Sequence, residues 1–246
     1  AGRVLHGHAL RLAALLAQAA AEVREVERVP SGRVSLALPA SVSMALSVPL
    51  AETVRVEMPQ VRLCVIEAMS GHVRDFVNRG EVDLGLLYDT AGLVDGTARH
   101  LLDEDLWFYA APDDWPLPTP SGSPVPLGAL AGLDLILPSA HHGLRSFVER
   151  AAAQAGIALR VVVEMDSLQQ IKALVARGSG HTALSPAAVL EMTAAGRLVG
   201  GPIVEPSLRR PVYLVRSPRQ PVTAASRALE AACEEVVRDL VGRVLW

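Results

Sequence analysis

The chain has 246 residues, of which half are hydrophobic and a fifth are charged, and this composition excludes an intrinsically disordered protein. A net charge of −3 with scattered arginines leaves no basic stripe, so we do not expect these residues to grip a nucleic-acid backbone themselves. The sequence contains no run of about eighteen uncharged apolar residues and no recognisable signal peptide, so it predicts a cytoplasmic protein without a membrane span.

Residues 1–30 predict one helix with an apolar seam, which ends at Pro30. The seam residues follow one another at alternating steps of four and three: Leu5, Ala9, Leu12, Leu16, Ala19, Val23 and Val26. Such a seam favours pairing with a partner helix, and we interpret it as a linker and dimerisation helix. The alternative is an ordinary amphipathic helix that packs on its own domain.

After residue 31, strand patterns alternate with helix patterns, which predicts parallel βαβ units and an α/β fold of two similar lobes. The predicted strands cover 34–38, 61–66, 82–87, 106–110, 133–137, 159–163, 181–184 and 212–215. We expect one lobe to comprise 33–104 and 213–246 and the other 105–212, with a cleft at the carboxyl ends of their strands. The proline-rich stretch 112–126 is predicted to be loop throughout, and Pro49 to lie in the first two turns of its helix.

Several predicted helices begin with a hydroxyl or a small residue directly after a strand. These positions are Ser41 or Ser43, Ser70 with Gly71, the stretch 139–143, and Asp166 with Ser167. Taken singly, each serine can be a helix N-cap that stabilises its helix by about 1 kcal/mol. Because helix N-termini carry partial positive charge, their repetition at one end of the sheet predicts a site for a small anion.

His141 and His142 form the most polar cluster, with Ser139 and Arg145 nearby. Adjacent histidines without a third ligand do not make a metal site, so we expect one ring to face the ligand as a donor, with a solvated loop as the alternative. No metal or cofactor is predicted. The acidic run 103–105 is expected to be a solvated face, and Cys64 and Cys233 to be buried small hydrophobes.

Catalytic signatures are missing from the sequence. It has no Gly-x-Ser-x-Gly elbow, no phosphate-binding Walker loop and no His-Glu-x-x-His motif. The glycines of 178–180 do not precede a helix and are interpreted as a turn. We therefore expect a binding protein and not an enzyme.

In order along the chain, several segments resemble the effector-binding region of LysR-type transcriptional regulators. They are 32–43, 61–67, 70–72 and 79–87. Within that family, 86–89, 138–145 and 163–167 resemble the nitrogen assimilation control-like branch. The resemblance runs from the helix at residue 5 to about residue 240.

This resemblance implies two Rossmann-like subdomains of type II periplasmic-binding-protein fold behind a linker helix. It also implies a small-molecule effector, self-association as a dimer or tetramer, and DNA contact through an N-terminal winged helix-turn-helix. No helix-turn-helix occurs in this sequence, so we expect the chain to be the sensor and oligomerisation part of such a regulator. The family's effector contacts would fall on Ser41 or Ser43, Ser70 or Gly71, Ser139, His141 or His142, Asp166 and Ser167.

A solute-binding protein of a transport system is the alternative, because it shares the fold. That class predicts a leader or lipid anchor before residue 1 and a monomer in solution, whereas the apolar seam favours an oligomer. For a regulator, we expect an anionic effector to change either the angle between the lobes, with hinges near Glu104 and Val212, or the packing of dimers, and so to reposition the DNA-binding domains.

Overall fold

The structure is a computed structural model that describes residues 2–25, 29–94, 97–140, 142–243 and 246, with side chains given for all of these except 2–5 and 21–25. The helices are α1 (Gly2–Glu25), α2 (Ala40–Glu57), α3 (Ser70–Arg79), α4 (Gly143–Gln154), α5 (Leu168–Val175), α6 (Pro186–Ala194) and α7 (Ala224–Gly242). The strands are β1 (Gly32–Leu38), β2 (Val61–Glu67), β3 (Leu84–Leu87), β4 (Thr97–Asp105), β5 (Trp107–Ala110), β6 (Val125–Pro126), β7 (Asp134–Leu137), β8 (Arg160–Glu164), β9 (Thr182–Leu184), β10 (Val199–Val204) and β11 (Arg209–Arg216).

The chain folds into two compact units. Unit 1 comprises Ala1–Pro39, Leu46–Leu101 and Val212–Leu240, and unit 2 comprises Ala40–Ala45, Leu102–Pro211 and Val241–Trp246. The first six residues of α2 therefore belong to unit 2, and the remainder of that helix to unit 1.

Unit 1 is built on a five-stranded sheet in the order β2-β1-β3-β11-β4. Strand β1 pairs in parallel with both β2 and β3, as βαβ connections require, whereas β11 returns antiparallel to β3. Helix α3 packs closely on this sheet, because a Cβ at Gly85 would lie only 2.5 Å from Cγ2 of Val77. Gly80, with φ of +73°, ends α3 in the left-handed conformation that glycine adopts without strain.

Unit 2 contains a four-stranded sheet in the order β6-β10-β5-β9 and a parallel pair of β7 and β8. Its core includes the fully buried side chains of Phe108, Leu127, Ile136, Val148 and Ile171. A bridge between Leu135 and His181 joins β7 to the segment that precedes β9.

Several predicted elements differ from the structure. Helix α2 begins at Ala40 after the N-cap Pro39, so the prediction that Ser41 or Ser43 caps it is wrong. Pro49 is the tenth residue of α2 and lies in its interior, beyond the predicted first two turns. Strand β3 begins two residues later than predicted, where the Asp83 carboxylate instead accepts hydrogen bonds from the amide and hydroxyl of Ser35.

The sequence patterns also missed strands. Strand β4 lacks an apolar run, and β10 contains two glycines and a proline that indicate a loop; β10 nevertheless pairs with both β5 and β6. The β6 pairing means that 112–126 is not loop throughout. Among the described residues, no helix combines the length and the hydropathy that crossing a membrane would require.

Candidate functional site

A buried ion pair lies where β4 and β11 run side by side. The Arg210 guanidinium donates to Oε2 of Glu104 from Nε at 2.7 Å and from Nη2 at 2.6 Å, and the two side chains are only 4% and 1% exposed. The other Glu104 oxygen accepts a hydrogen bond from Nε1 of Trp246 at 3.0 Å. The expectation that 103–105 is a solvated face is therefore wrong at Glu104, whose charge is neutralised by a buried arginine.

This arginine also reaches the beginning of α2. Nη2 of Arg210 lies 3.4 Å from Oγ of Ser41, the second residue of the helix. The N-cap residue of α2, Pro39, makes no side-chain capping bond. The positive end of the helix and a buried guanidinium are thus adjacent within unit 2. Ser43 is half-buried in the same first turns.

His142 is the N-cap of α4, and its Nδ1 accepts a hydrogen bond from the Leu144 amide at 3.2 Å. An imidazole that accepts at Nδ1 carries its proton at Nε2, so that nitrogen is a donor. Burial lowers the pKa of His142, the Arg210 charge lowers it further, and the Asp166 carboxylate opposes both effects. His142 therefore lies in the electrostatic field of the arginine that contacts Ser41.

Other residues predicted to contact the effector lie on the segments that precede α4 and α5. Oδ1 of Asp166 accepts a hydrogen bond from the Ser139 amide at 2.9 Å, which ties together the segments before α4 and α5. Ser167 is the N-cap residue of α5 but makes no side-chain capping bond. Arg145 is buried within α4, where it donates to the Pro138 carbonyl at 3.2 Å and stabilises the same loop from behind.

Sequence reasoning missed three charged residues of unit 2: Glu104, Arg210 and Lys172. Lys172 on α5 is only 2% exposed. Its Nζ donates to the Ala188 carbonyl at 2.9 Å and lies 3.2 Å from Sδ of Met44, one turn beyond Ser41 on α2. The available signal was composition, because Lys172 is the only lysine among 23 basic residues.

The remaining predicted contacts lie elsewhere or outside the described residues. Ser70 and Gly71 belong to unit 1, where they begin α3 after the N-cap Met69. Ser70 is buried, and within the described part of the chain its Oγ has no hydrogen-bond partner. His141 and the seam residue Val26 lie outside the described residues.

The seam of α1 is exposed where its side chains are described. Leu12 and Leu16 are 62% and 71% exposed, and Ala19 is exposed as well. The positions of Leu5 and Val23 are helical, although their side chains are not described. Within the part of the chain that the structure describes, the seam is therefore uncovered at Leu12 and Leu16.

The chemistry of these residues indicates binding. Across 2–25, 29–94, 97–140, 142–243 and 246, no three His, Cys, Asp or Glu side chains converge as a metal ion would require. Cys233 is fully buried, which raises the pKa of its thiol to about 12, whereas Cys64 is only half-buried, contrary to expectation. The polar groups of unit 2 instead offer N–H donors and positive charge.

Comparison with known proteins agrees with this view. Residues 27–238 match the family described as the LysR substrate binding domain. The nitrogen assimilation regulatory protein Nac of Klebsiella aerogenes is 28% identical over 244 residues, covering 99% of this chain and 77% of that protein.

Two solved structures share the fold. The CcmR regulatory domain of Synechocystis PCC6803 in complex with 2-PG has a TM-score of 0.75 at 21% identity, covering 85% of this chain and 99% of that one. The effector binding domain of QuiR in complex with shikimate has a TM-score of 0.73 at 16% identity, covering 85% and 98%. The predicted α/β fold, with two Rossmann-like subdomains of the periplasmic-binding-protein type, is confirmed.

Proposed function

We propose that this chain, which belongs to the LysR family of transcriptional regulators and contains the family's effector-sensing region, binds a small anion in unit 2 as its effector. The site would comprise the first turn of α2 with Ser41 and Ser43, the loop with Ser139 and His142, and the start of α5 with Asp166 and Ser167. The observation behind this proposal is that α2 begins after an N-cap proline, which makes no side-chain capping bond, beside the buried guanidinium of Arg210.

Physical chemistry favours an anion at this position. The first backbone N–H groups of a helix lack intrahelical partners, and the helix end carries about half a positive charge. The Nε2–H of His142 adds a donor, and Arg210, held in place by Glu104, adds positive potential. Shikimate, bound by the related QuiR domain, carries a carboxylate, which is the type of group these donors suit.

The family match favours effector sensing over solute binding for transport. Regulators of this family bind small molecules and are oligomeric. We further propose that the chain acts in the cytoplasm and binds its effector without converting it. Residues 1–30 would be the linker helix, 33–104 with 213–246 one regulatory subdomain, and 105–212 the other. Ser70, Gly71 and His141 remain effector contacts that only the sequence resemblance implies.

We also propose that α1 pairs with α1 of a second copy. A seam with leucines more than 60% exposed at positions 12 and 16 is costly to leave in water, and its spacing fits a partner helix. Helix α1 of a second copy presents an identical seam, so a symmetric pair of helices buries the apolar seams of both chains. Leu5, Leu12, Leu16, Ala19, Val23 and Val26 would form this contact.

The anion site is tested by Ser41→Asp. A carboxylate in the first turn suits a helix N-terminus, so we expect this variant to fold with an unchanged or higher melting temperature. The introduced carboxylate would lie where the negative charge of the effector is proposed to bind. Small carboxylates that raise the melting temperature of the wild type should therefore no longer do so.

Ser121→Asp is the matched control, since it adds the same charge at an exposed turn residue of unit 2. It should respond to carboxylates as the wild type does. A Ser41→Asp variant that keeps the full response, or a wild type that responds to no carboxylate or phosphate ester, would contradict the proposed anion site.

A further inference from the structure

Lys172 stands apart from every other basic residue of the chain. The remaining 22 basic residues are arginines, and this single lysine is almost completely buried. Burying an ammonium group without a counter-charge is costly, and proteins rarely retain one without a role. Among the described residues, no carboxylate lies within ion-pair distance of its Nζ, and the charge of Glu191 acts on Lys172 only from a greater distance.

The hydrogen bonds of Lys172 are incomplete. An ammonium group has three N–H donors. One is directed to the Ala188 carbonyl and another to the Met44 thioether, which is a weak acceptor. The third donor has no protein acceptor among the described residues. An oxygen atom from outside the chain could complete this coordination.

Of the two cations beside the beginning of α2, one is neutralised by an ion pair and the other is not. Arg210 is neutralised by Glu104 through two hydrogen bonds, whereas Lys172 is not neutralised. Both cations lie against the first turns of α2, one at Ser41 and the other at Met44. A ligand with a single negative charge would pair with Lys172, whereas the second charge of a dianion would find neither of these two cations still unpaired.

We infer that Lys172 is the charge-recognition residue of the effector site and that the effector is a monoanionic carboxylate whose oxygen accepts the third N–H of Nζ. This inference rests on the proposed function. The choice of lysine over arginine fits it, because a buried lysine can release its proton while the site is empty, and a guanidinium cannot. Burial does lower the pKa of Lys172 in the free protein.

A single lysine permits a direct measurement. Protein produced with ¹³Cε-labelled lysine gives one side-chain signal, whose chemical shift reports the protonation of Nζ. We expect this signal to titrate below the ordinary lysine range in the free protein. Saturating acetate, benzoate or shikimate should move it to the charged form and hold it there to higher pH, because a bound carboxylate stabilises the ammonium. Inorganic phosphate, tested as the dianion, should move it less.

A variant of Lys172 and a matched control provide the second test of this inference. Lys172→Met keeps the volume and removes the charge, and it should lower the affinity for the carboxylate about ten- to a hundredfold, the usual range for a hydrogen bond to a charged group. Its melting temperature should equal or exceed that of the wild type. Arg177→Met, which removes an exposed charge just after α5, should leave the affinity unchanged.

The outcomes separate the two proposals. A carboxylate that stabilises the wild type but leaves the lysine signal and the Lys172→Met affinity unchanged would overturn the role of Lys172 and leave the anion site standing. A phosphate preference over every carboxylate would overturn the monoanion assignment. If none of the probes stabilises the wild type or moves the signal, the anion site and the role of Lys172 both fail.

Discussion

The substitution Glu104→Gln tests the buried ion pair that holds Arg210 against α2. The variant keeps the shape of the side chain, but its single amide oxygen accepts from Arg210 or from Trp246 and not from both, and a guanidinium that is 4% exposed loses its counter-charge. Breaking a buried pair in this way costs about 3–5 kcal/mol, and the remaining amide hydrogen bond favours the lower end. In a chain of this size, a loss of about 3 kcal/mol lowers the melting temperature by about 6–12 °C.

The neighbouring pair provides a matched control. Asp105 and Arg209 form the same type of contact on the same two strands, at 2.8 Å, but their side chains are 43% and 60% exposed. Asp105→Asn should therefore change the melting temperature little. The double variant Glu104→Leu with Arg210→Met should recover most of the lost stability, because apolar side chains replace the whole pair.

The substitution Glu104→Gln also changes the expected response to the effector. Once Glu104 is neutral, an anionic effector becomes the counter-charge of Arg210. Carboxylates that stabilise the wild type should therefore stabilise Glu104→Gln by more, as measured in one thermal-denaturation series. A Glu104→Gln variant that loses no more stability than Asp105→Asn would refute the buried-pair argument, and a variant without additional rescue would refute its link to the anion.

Two further predictions concern His142 and α1. The lowered pKa of His142 means that the unfolded chain binds more protons below the ordinary value of 6.5, so stability falls as the pH falls through the folded-state pKa. His142→Asn keeps an N-cap without a titrating ring, and its melting temperature should depend less on pH between about 5 and 7; equal slopes would argue against this role. Leu12→Lys with Leu16→Lys should lower the mass measured by light scattering, whereas Leu10→Lys, off the seam, should not; an unchanged mass would contradict pairing through the seam.

The sequence predicted the alternation of strands and helices because period-two and period-3.6 patterns survive where one face is buried. It failed at β4 and β10, whose residues carry no such pattern and are ordered by pairing with distant strands. It also misplaced the start of α2, because this helix begins at Ala40, directly after Pro39, with no hydroxyl residue at the N-cap to mark its first turn.

The candidate site was only partly predictable. Serines and a histidine at strand ends signalled the loops, and the structure places Ser41, Ser139, His142 and Asp166 in one unit. Glu104 and Arg210 are 106 positions apart in the chain, so nothing local in the sequence reveals that their charges meet. Burial of a charge depends on tertiary packing, which sequence periodicity does not report.

A crystal structure of the chain with the carboxylate that raises its melting temperature most will show whether a small anion binds at the beginning of α2 in unit 2. We expect carboxylate density within hydrogen-bond distance of the first-turn amides of α2, with Nε2 of His142 or Nζ of Lys172 as a further donor. Density for the carboxylate at a site that contacts neither α2 nor these side chains would contradict it.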